Sequence, residues 1–311
     1  MNDVTNARPL VTLVTPAYNQ SEFLAETIDS VLAQDYPNIE YIVLDDGSTD
    51  GTQAVLGLYT DRVCTMRHDN IGQARTLNRG WQIARGTYIG YLSSDDVLHP
   101  TAVGKLVQAL EADDGVACAF PDADLIDPAS RIIKRRVCRP FDLENLVVTQ
   151  ECYIGPGALF KRSAYAAAGE WRPELKLAPD REFWIRLAQQ GEFRFLPESL
   201  AGYRLHPQST SYRLVSEEVS REYLLVLDEY FGRPGVPASI ARRKQEAYGR
   251  ATLLLARNAL RAGKVARGLE LYGQACRLHR ELASPKVKLT LLRNVVSKPM
   301  RTLYAMLRRG A

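Results

Sequence analysis

Two adjacent aspartates, Asp95 and Asp96, stand where the apolar run TYIGYL (87–92) breaks off at Ser93 and Ser94. Neighbouring carboxylates at the end of a buried strand repel, and each raises the other's pKa unless positive charge lies beside them. A divalent cation supplies that charge. Carboxylate oxygens with few other protein ligands suit Mn2+ or Mg2+, which commonly complete their shell with substrate phosphates. The pair therefore predicts a metal that in turn holds a phosphate. A second pair, Asp45 and Asp46 in LDDGSTDGT (44–52), follows another apolar run. There, helix capping and turn hydrogen bonding explain the aspartates equally well.

Both pairs need strands that deliver them to one edge of a sheet. LVTLVTP (10–16) reads as a buried strand, followed by an amphipathic run capped by Ser21 with Phe23, Leu24, Ile28, Val31 and Leu32 at helical spacing. IEYIVLDDGSTDG (39–51) is a second strand ending in a turn, with TQAVLGLY after it. RVCTMRH (62–68) is a third, IGQARTLNRGWQIARG (71–86) the next helix, and TYIGYLSSDD the next strand. Strict alternation of this kind predicts an α/β fold with a doubly wound, mostly parallel, Rossmann-like sheet. In such sheets ligands bind beyond the carboxyl ends of the strands, where both pairs fall. From about 120 to 212 the alternation gives way to a loop-rich stretch with a Gly-Pro-Gly turn in YIGPGALF (153–160) and a helical pattern over 180–193, expected to complete the active-site wall. Beyond Arg213 the pattern is helical, with a linker at GRPGVPAS (232–239).

Bulk properties remove several classes. Among 311 residues, 40 basic and 36 acidic ones leave a formal charge of +4, too slight for a nucleic-acid binder. No apolar run approaches the roughly 20 residues that span a bilayer, and MNDVTNARP lacks the form of a secretory signal. The five cysteines, Cys64, Cys118, Cys138, Cys152 and Cys276, show no metal-binding spacing, and a reducing cytoplasm is the expected compartment. G-x-G-x-x-G follows none of the predicted strands, which argues against a dinucleotide-dependent oxidoreductase. TPAYNQSEFL has no Gly-rich phosphate loop, which argues against a nucleotidyltransferase.

Six segments in order, TPAYN (15–19), LDDGSTDGT (44–52), NIGQARTLNRG (70–80), ARGTYIGYLSSDD (84–96), GALFKRSAYAAAGEW (157–171) and PDREFWIRLA (179–188), resemble family 2 glycosyltransferases of the GT-A fold over about residues 8–212. That resemblance implies an inverting enzyme of hexosyltransferase type. It would move a sugar from a nucleotide-diphospho-sugar, UDP-linked by preference, to a glycan or lipid-linked acceptor in cell-surface polysaccharide synthesis. It assigns the nucleotide-sugar to Pro16, Tyr18, Asp45, Asp46, Arg75, Ser94 and Asp95, and the general base to Asp180. The metal would lie on Asp95 and Asp96, with His206 in YRLHPQSTS (203–211) as a further ligand or a structural histidine. Gly155, Gly157 and Trp184 would line the acceptor side, although a tight turn explains the glycines as well. Two departures from the family's pattern are Ser93, where many members carry aspartate, and Pro179, where glutamate is frequent. A catalytically silent scaffold of the same fold is the competing reading, and the presence of Asp46, Asp95, Asp96 and Asp180 argues against it.

The expected division is a catalytic domain over 8–215 and a helical region over 216–311. The latter includes a hairpin at 247–282 that resembles a single tetratricopeptide-like unit. The last stretch, 284–311, carries Lys286, Lys288, Arg293, Lys298, Arg301, Arg308 and Arg309 and no acid. Drawn as a helix it places Leu289, Leu292, Val295, Val296, Met300, Leu303 and Leu307 on one face, with a kink at Pro299. Such a helix either docks on the protein or lies on an anionic membrane, the inner face of the plasma membrane for a cytoplasmic enzyme.

Overall fold

The computed structural model describes residues 8–209 and 214–292, which form two compact units. The first unit comprises the described residues up to Phe141 together with Cys152–Glu174 and Pro179–Ser209. It begins with β1 (Val11–Ala17), α1 (Leu24–Leu32), β2 (Ile39–Asp46), α2 (Thr52–Gly57), β3 (Cys64–His68), α3 (Gln73–Ile83) and β4 (Tyr88–Tyr91). After these come β5 (Val97–Leu98), α4 (Ala102–Glu111), β6 (Val116–Ile126), β7 (Ile132–Lys134), β8 (Leu159–Lys161), α5 (Arg162–Ala168), α6 (Pro179–Leu187) and β9 (Glu192–Arg204). One mixed sheet results, in the order β3-β2-β1-β4-β8-β6-β9-β5, with β7 paired to β6. The pairs β1·β2, β1·β4, β2·β3 and β6·β9 are parallel, and β8 enters antiparallel between β4 and β6.

Helices cover the parallel strands, so β1 is buried at every position and reads as an unbroken run. Its two inward threonines are satisfied: Thr12 donates to Glu40 Oε2 at 2.6 Å, and Thr15 shares a 2.9 Å bond with Tyr41. Helix α3 buries Ala74, Leu77, Gly80 and Trp81 at helical spacing. The Trp81 indole donates to the Gly90 carbonyl at 3.1 Å and meets Phe160, Tyr165, Trp171 and Phe183 edge-on or stacked. At Gly90 the strands β4 and β8 come so close that a Cβ would collide with the Ala158 carbonyl oxygen and lie 2.8 Å from Leu159 Cδ2. Gly90→Ala is expected to cost about 1–3 kcal/mol, read as a lowered urea midpoint with an unchanged slope.

The second unit comprises Asp142–Glu151, Leu175–Ala178 and residues 214–292. It contains α7 (Glu217–Ser220), α8 (Glu222–Gly232), α9 (Ala238–Arg242), α10 (Lys244–Arg261) and α11 (Val265–Leu278). Leu255, Ala256, Ala259 and Leu271 form the core between α10 and α11. Glu222 binds the short 175–178 segment, accepting from the amides of Lys176 (2.8 Å), Leu177 (2.7 Å) and Ala178 (3.3 Å). Arg243 pairs with Glu144 of the 142–151 segment.

Three local expectations change. Ser21 does not cap α1, which starts at Leu24; its amide donates instead to Asp50 Oδ2 at 3.1 Å. The helix from 180 ends at Leu187, because Glu192 already begins β9. Much of the stretch from 120 to 212 is strand, including most of β6 and all of β9. Of the basic C-terminal stretch, 285–292 is helical; Arg293 onward lies outside the described residues. No described helix is long and apolar enough to cross a membrane.

Candidate functional site

The carboxyl ends of β1, β2 and β4 meet at one edge of the sheet, as the register Ala17↔Asp45 and Val14↔Tyr91 shows. Pro16 is buried one residue before the end of β1, and Tyr18, just past the strand, is 44% exposed. The loops are stitched together: the Asn19 amide donates to Ser48 Oγ at 2.9 Å, and Asn19 Oδ1 accepts from the Thr49 amide at 2.8 Å. Asp46 clamps the turn before α3, taking the amides of Ile71 (2.7 Å) and Gly72 (3.0 Å) on its two oxygens. Gly47 adopts φ 73°, and a Cβ there would lie 2.6 Å from the Asn70 nitrogen. Asp45 is fully buried; its Oδ1 accepts from the Ser48 amide at 2.9 Å. Its Oδ2 has no hydrogen-bond partner among the described residues and lies 3.8 Å from the Arg67 guanidinium.

After β4, the turn Ser93–Asp96 carries the second pair. Ser94 is buried, and Asp96 is buried with Oδ1 accepting from the Arg204 amide at 2.8 Å. Burial first, and then the Asp95 charge, push the Asp96 carboxyl well above the usual carboxylate range, against the Arg204 amide and guanidinium, which hold it down. Asp95 turns the other way, and its Oδ2 lies 2.9 Å from His206 Nε2 across 111 residues of chain. His206 is fixed by its backbone N–H, which donates to Ser209 Oγ at 3.1 Å, and by the Phe23 ring, whose centroid lies 4.7 Å from the imidazole's. A carboxylate oxygen and an imidazole nitrogen meeting in this way form a donor pair that Mn2+ or Mg2+ accepts, provided other oxygens complete the shell. No group of three or more His, Cys, Asp or Glu side chains suited to a metal occurs among the described residues. An ion held by these two side chains would need further oxygen ligands to complete its shell.

Arg204, which sequence reasoning passed over, anchors this loop from below. Its side chain is wholly buried; Nε donates to the Asp95 carbonyl at 2.7 Å, and one terminal nitrogen donates to Glu26 Oε2 at 2.7 Å. The other donates to the Asp127 carbonyl (3.1 Å), the Pro128 carbonyl (3.3 Å) and Ser130 Oγ (2.9 Å). Its place two residues before His206 was the only signal in the sequence.

Asp180 sits in the first turn of α6. Desolvation raises its pKa above the ordinary carboxylate value, while the Arg181 charge and backbone amides act against the shift. Two neighbours record its position. Burial pushes the Tyr91 phenol well above its ordinary pKa, and the carboxylates of Asp180 and Asp96 both add to that rise. Burial and then Asp180 push the Cys152 thiol up to about 11. Tyr91 therefore lies within electrostatic reach of Asp180 and of the Asp95–Asp96 turn.

The remaining expected residues stand apart. Arg75 is exposed in the first turn of α3. Trp184, expected on the acceptor side, is 1% exposed and packs against Phe160, Phe183 and Phe193, so its ring offers no surface to a ligand. The turn glycines have packing reasons: a Cβ on Gly155 would lie 2.5 Å from Cys138 Sγ, and Gly157 adopts φ 85° with Leu98 Cδ2 2.7 Å from its Cβ position.

A family model described as glycosyl transferase family 2 matches residues 12–168. The chain is similar to an uncharacterized glycosyltransferase of Rickettsia prowazekii, 30% identical over 213 residues that cover 65% of this chain and 66% of that one. The match therefore spans just under two thirds of that relative's length. It is also similar to TuaG of Bacillus subtilis, a putative teichuronic acid biosynthesis glycosyltransferase, 28% identical over 221 residues covering 67% of this chain and 84% of that protein. Among solved structures, S. aureus TarS 1-349 in complex with UDP-GlcNAc superposes with a TM-score of 0.69 at 16% identity, covering 97% of this chain and 92% of that one.

Proposed function

The chain belongs to glycosyl transferase family 2 and has the GT-A fold, and from that premise we propose that it transfers a hexose from a UDP-linked sugar to an acceptor hydroxyl with inversion. The acceptor is a glycan or a lipid-linked glycan of cell-surface polysaccharide assembly, a reading supported by the likeness to a putative teichuronic acid enzyme. The observation that carries the proposal lies at the carboxyl ends of the parallel strands, where Asp45 Oδ2 is buried without a hydrogen-bond partner among the described residues and Asp95 Oδ2 meets His206 Nε2 at 2.9 Å. In-line displacement at an anomeric carbon requires a base on the side opposite the diphosphate, the part assigned here to Asp180.

Each residue then has a task. Asp180, with its raised pKa, takes the proton of the acceptor hydroxyl as that oxygen attacks. Asp45 Oδ2, a buried acceptor without a donor among the described residues, matches the imide N–H of uracil. Asp46 holds the turn before α3 in shape, and Tyr18 and Arg75, both exposed, are available to the bound nucleotide-sugar. Asp95 and His206 would hold the divalent ion, and Asp96 fixes the turn by accepting from Arg204. When bound, the ion neutralises charge developing on the diphosphate leaving group.

Calorimetric titration of UDP, GDP and dTDP with and without Mn2+ tests the donor side. The expected result is Mn2+-dependent binding of UDP that Asp95→Ala abolishes. Metal-independent binding, or a preference for GDP, would remove the metal or the uridine from the proposal.

A further inference from the structure

The β6–β7 hairpin returns through RIIKRRVCR (131–139), five cations around two isoleucines. Ile132 and Ile133 are 46% and 55% exposed, and Arg131, Lys134, Arg135 and Arg136 are exposed beside them. β7 pairs only with β6, and all three of its residues are exposed.

This surface is firmly built. The Asp127 carboxylate accepts from the amides of Ala129 (2.9 Å) and Arg131 (3.0 Å), which fixes the turn. Two buried aspartates of β6 hold the returning chain: Asp124 accepts from the Arg136 amide at 2.9 Å, and Asp122 from the Cys138 amide at 3.0 Å. Arg131 pairs with Asp127 and Arg135 with Asp124. Five cations against the three carboxylates of Asp122, Asp124 and Asp127 leave the hairpin with a net charge of +2, and the aspartates of β6 are buried while the cations face solvent.

We propose that this hairpin docks the protein on an anionic bilayer, with Ile132 and Ile133 entering the headgroup boundary and the surrounding cations meeting anionic lipid. The isoleucines select this partner. A soluble polyanion is held by cations and polar donors and gains nothing from two exposed apolar side chains, whereas an interfacial element needs both kinds. The surface is distinct from the 284–311 tail, and its existence does not depend on the glycosyl-transfer reading. If that reading holds, the hairpin also serves it, since Arg204 grips both the turn at Asp127–Ser130 and the Asp95 carbonyl. A membrane-borne acceptor would then be held beside the donor site.

Cosedimentation of the full chain with phosphatidylcholine vesicles, with and without phosphatidylglycerol, tests the proposal. Binding is expected only with phosphatidylglycerol, to weaken with salt, and to fall about tenfold in Ile132→Ser/Ile133→Ser and in Lys134→Glu/Arg136→Glu. Ile132→Thr/Ile133→Thr, which keeps β-branched residues in the strand, should behave like the serine variant and so controls for lost strand propensity. Absence of wild-type binding would overturn the proposal. So would wild-type affinity in both isoleucine variants, since the tail or charge alone would then suffice. UDP calorimetry on the same samples keeps the readings separate: lost UDP binding in wild type would count against the donor proposal and leave the vesicle result standing.

Discussion

Asp180→Asn is expected to lower the transfer rate by about 10²–10⁴-fold, the range that one positioned general base contributes, while UDP binding stays at the wild-type level. The amide is nearly isosteric and cannot take a proton, so turnover separates from donor affinity. The pH profile supplies a second signature. Desolvation raises the pKa of the half-buried Asp180 above its ordinary value, and the base works only when deprotonated. The acid limb of kcat should therefore fall at a higher pH than that of an ordinary carboxylate, and should vanish in the variant's residual activity. The linked stability effect has a definite sign. A carboxylate whose folded pKa is raised binds its proton more tightly in the native state, so the stability it contributes is present at low pH and declines as pH rises through the raised value. Asp180→Asn should flatten that part of the pH–stability curve. Wild-type turnover in the variant would remove Asp180 from the chemistry.

Strands β1, β2 and β4 were legible because they are largely buried and read as apolar runs, 10–16 and 39–51 falling on Val11–Ala17 and Ile39–Asp46; the half-exposed β3, CTMRH, was legible only from the alternation around it. Strands β6 and β9 were not legible, although they are 11 and 13 residues long. VACAFPDADLI carries Pro121 and two aspartates within the strand, and EFRFLPESLAGYR carries Pro197 and Gly202, all residues that ordinarily mark turns. The sheet accepts them at irregularities: the β6·β9 register shifts at Pro121/Asp122 and again at Asp122/Ala123. Asp122 and Asp124 then spend their carboxylates on amides of the returning chain. A strand that satisfies its own polar side chains locally carries no period that a reading of the sequence alone could find.

At the candidate site, sequence reasoning singled out the charged residues and missed those that hold them. Asp45, Asp46, Asp95, Asp96 and Asp180 stand out as carboxylates at the ends of elements. Arg204 does not, since an arginine in a β-rich segment ordinarily signals a solvated face. Its burial comes from carbonyls at Asp95, Asp127 and Pro128, set by chain crossings that no local pattern encodes. Trp184 errs in the opposite direction. Placed four residues after Asp180, on the same side of α6, it invites a role in the site, yet its ring is enclosed by Phe160, Phe183 and Phe193.

Arg204→Met should cost about 3–5 kcal/mol, the range for removing one partner from a buried charged network. The guanidinium is wholly buried, lies 5.0 Å from the Phe23 ring centroid, and donates to three backbone carbonyls, Ser130 Oγ and the Glu26 carboxylate. Methionine fills much of the volume but leaves those carbonyls unpaired. Glu26, whose side chain is 47% exposed, can rehydrate, so most of the loss belongs to the backbone acceptors. Arg204→Lys keeps the charge and reaches one or two acceptors from a single point, so it should recover only part of the stability. A positioning role predicts more than instability. With the guanidinium gone, Asp96 loses one of the influences that hold its raised pKa down, and the Asp95 turn loses its tether to the chain around His206. Mn2+-dependent UDP affinity should then fall even where the variant is fully folded, measured by calorimetry at a temperature well below its melting point. A folded variant with unchanged metal-dependent affinity would reduce Arg204 to a packing residue.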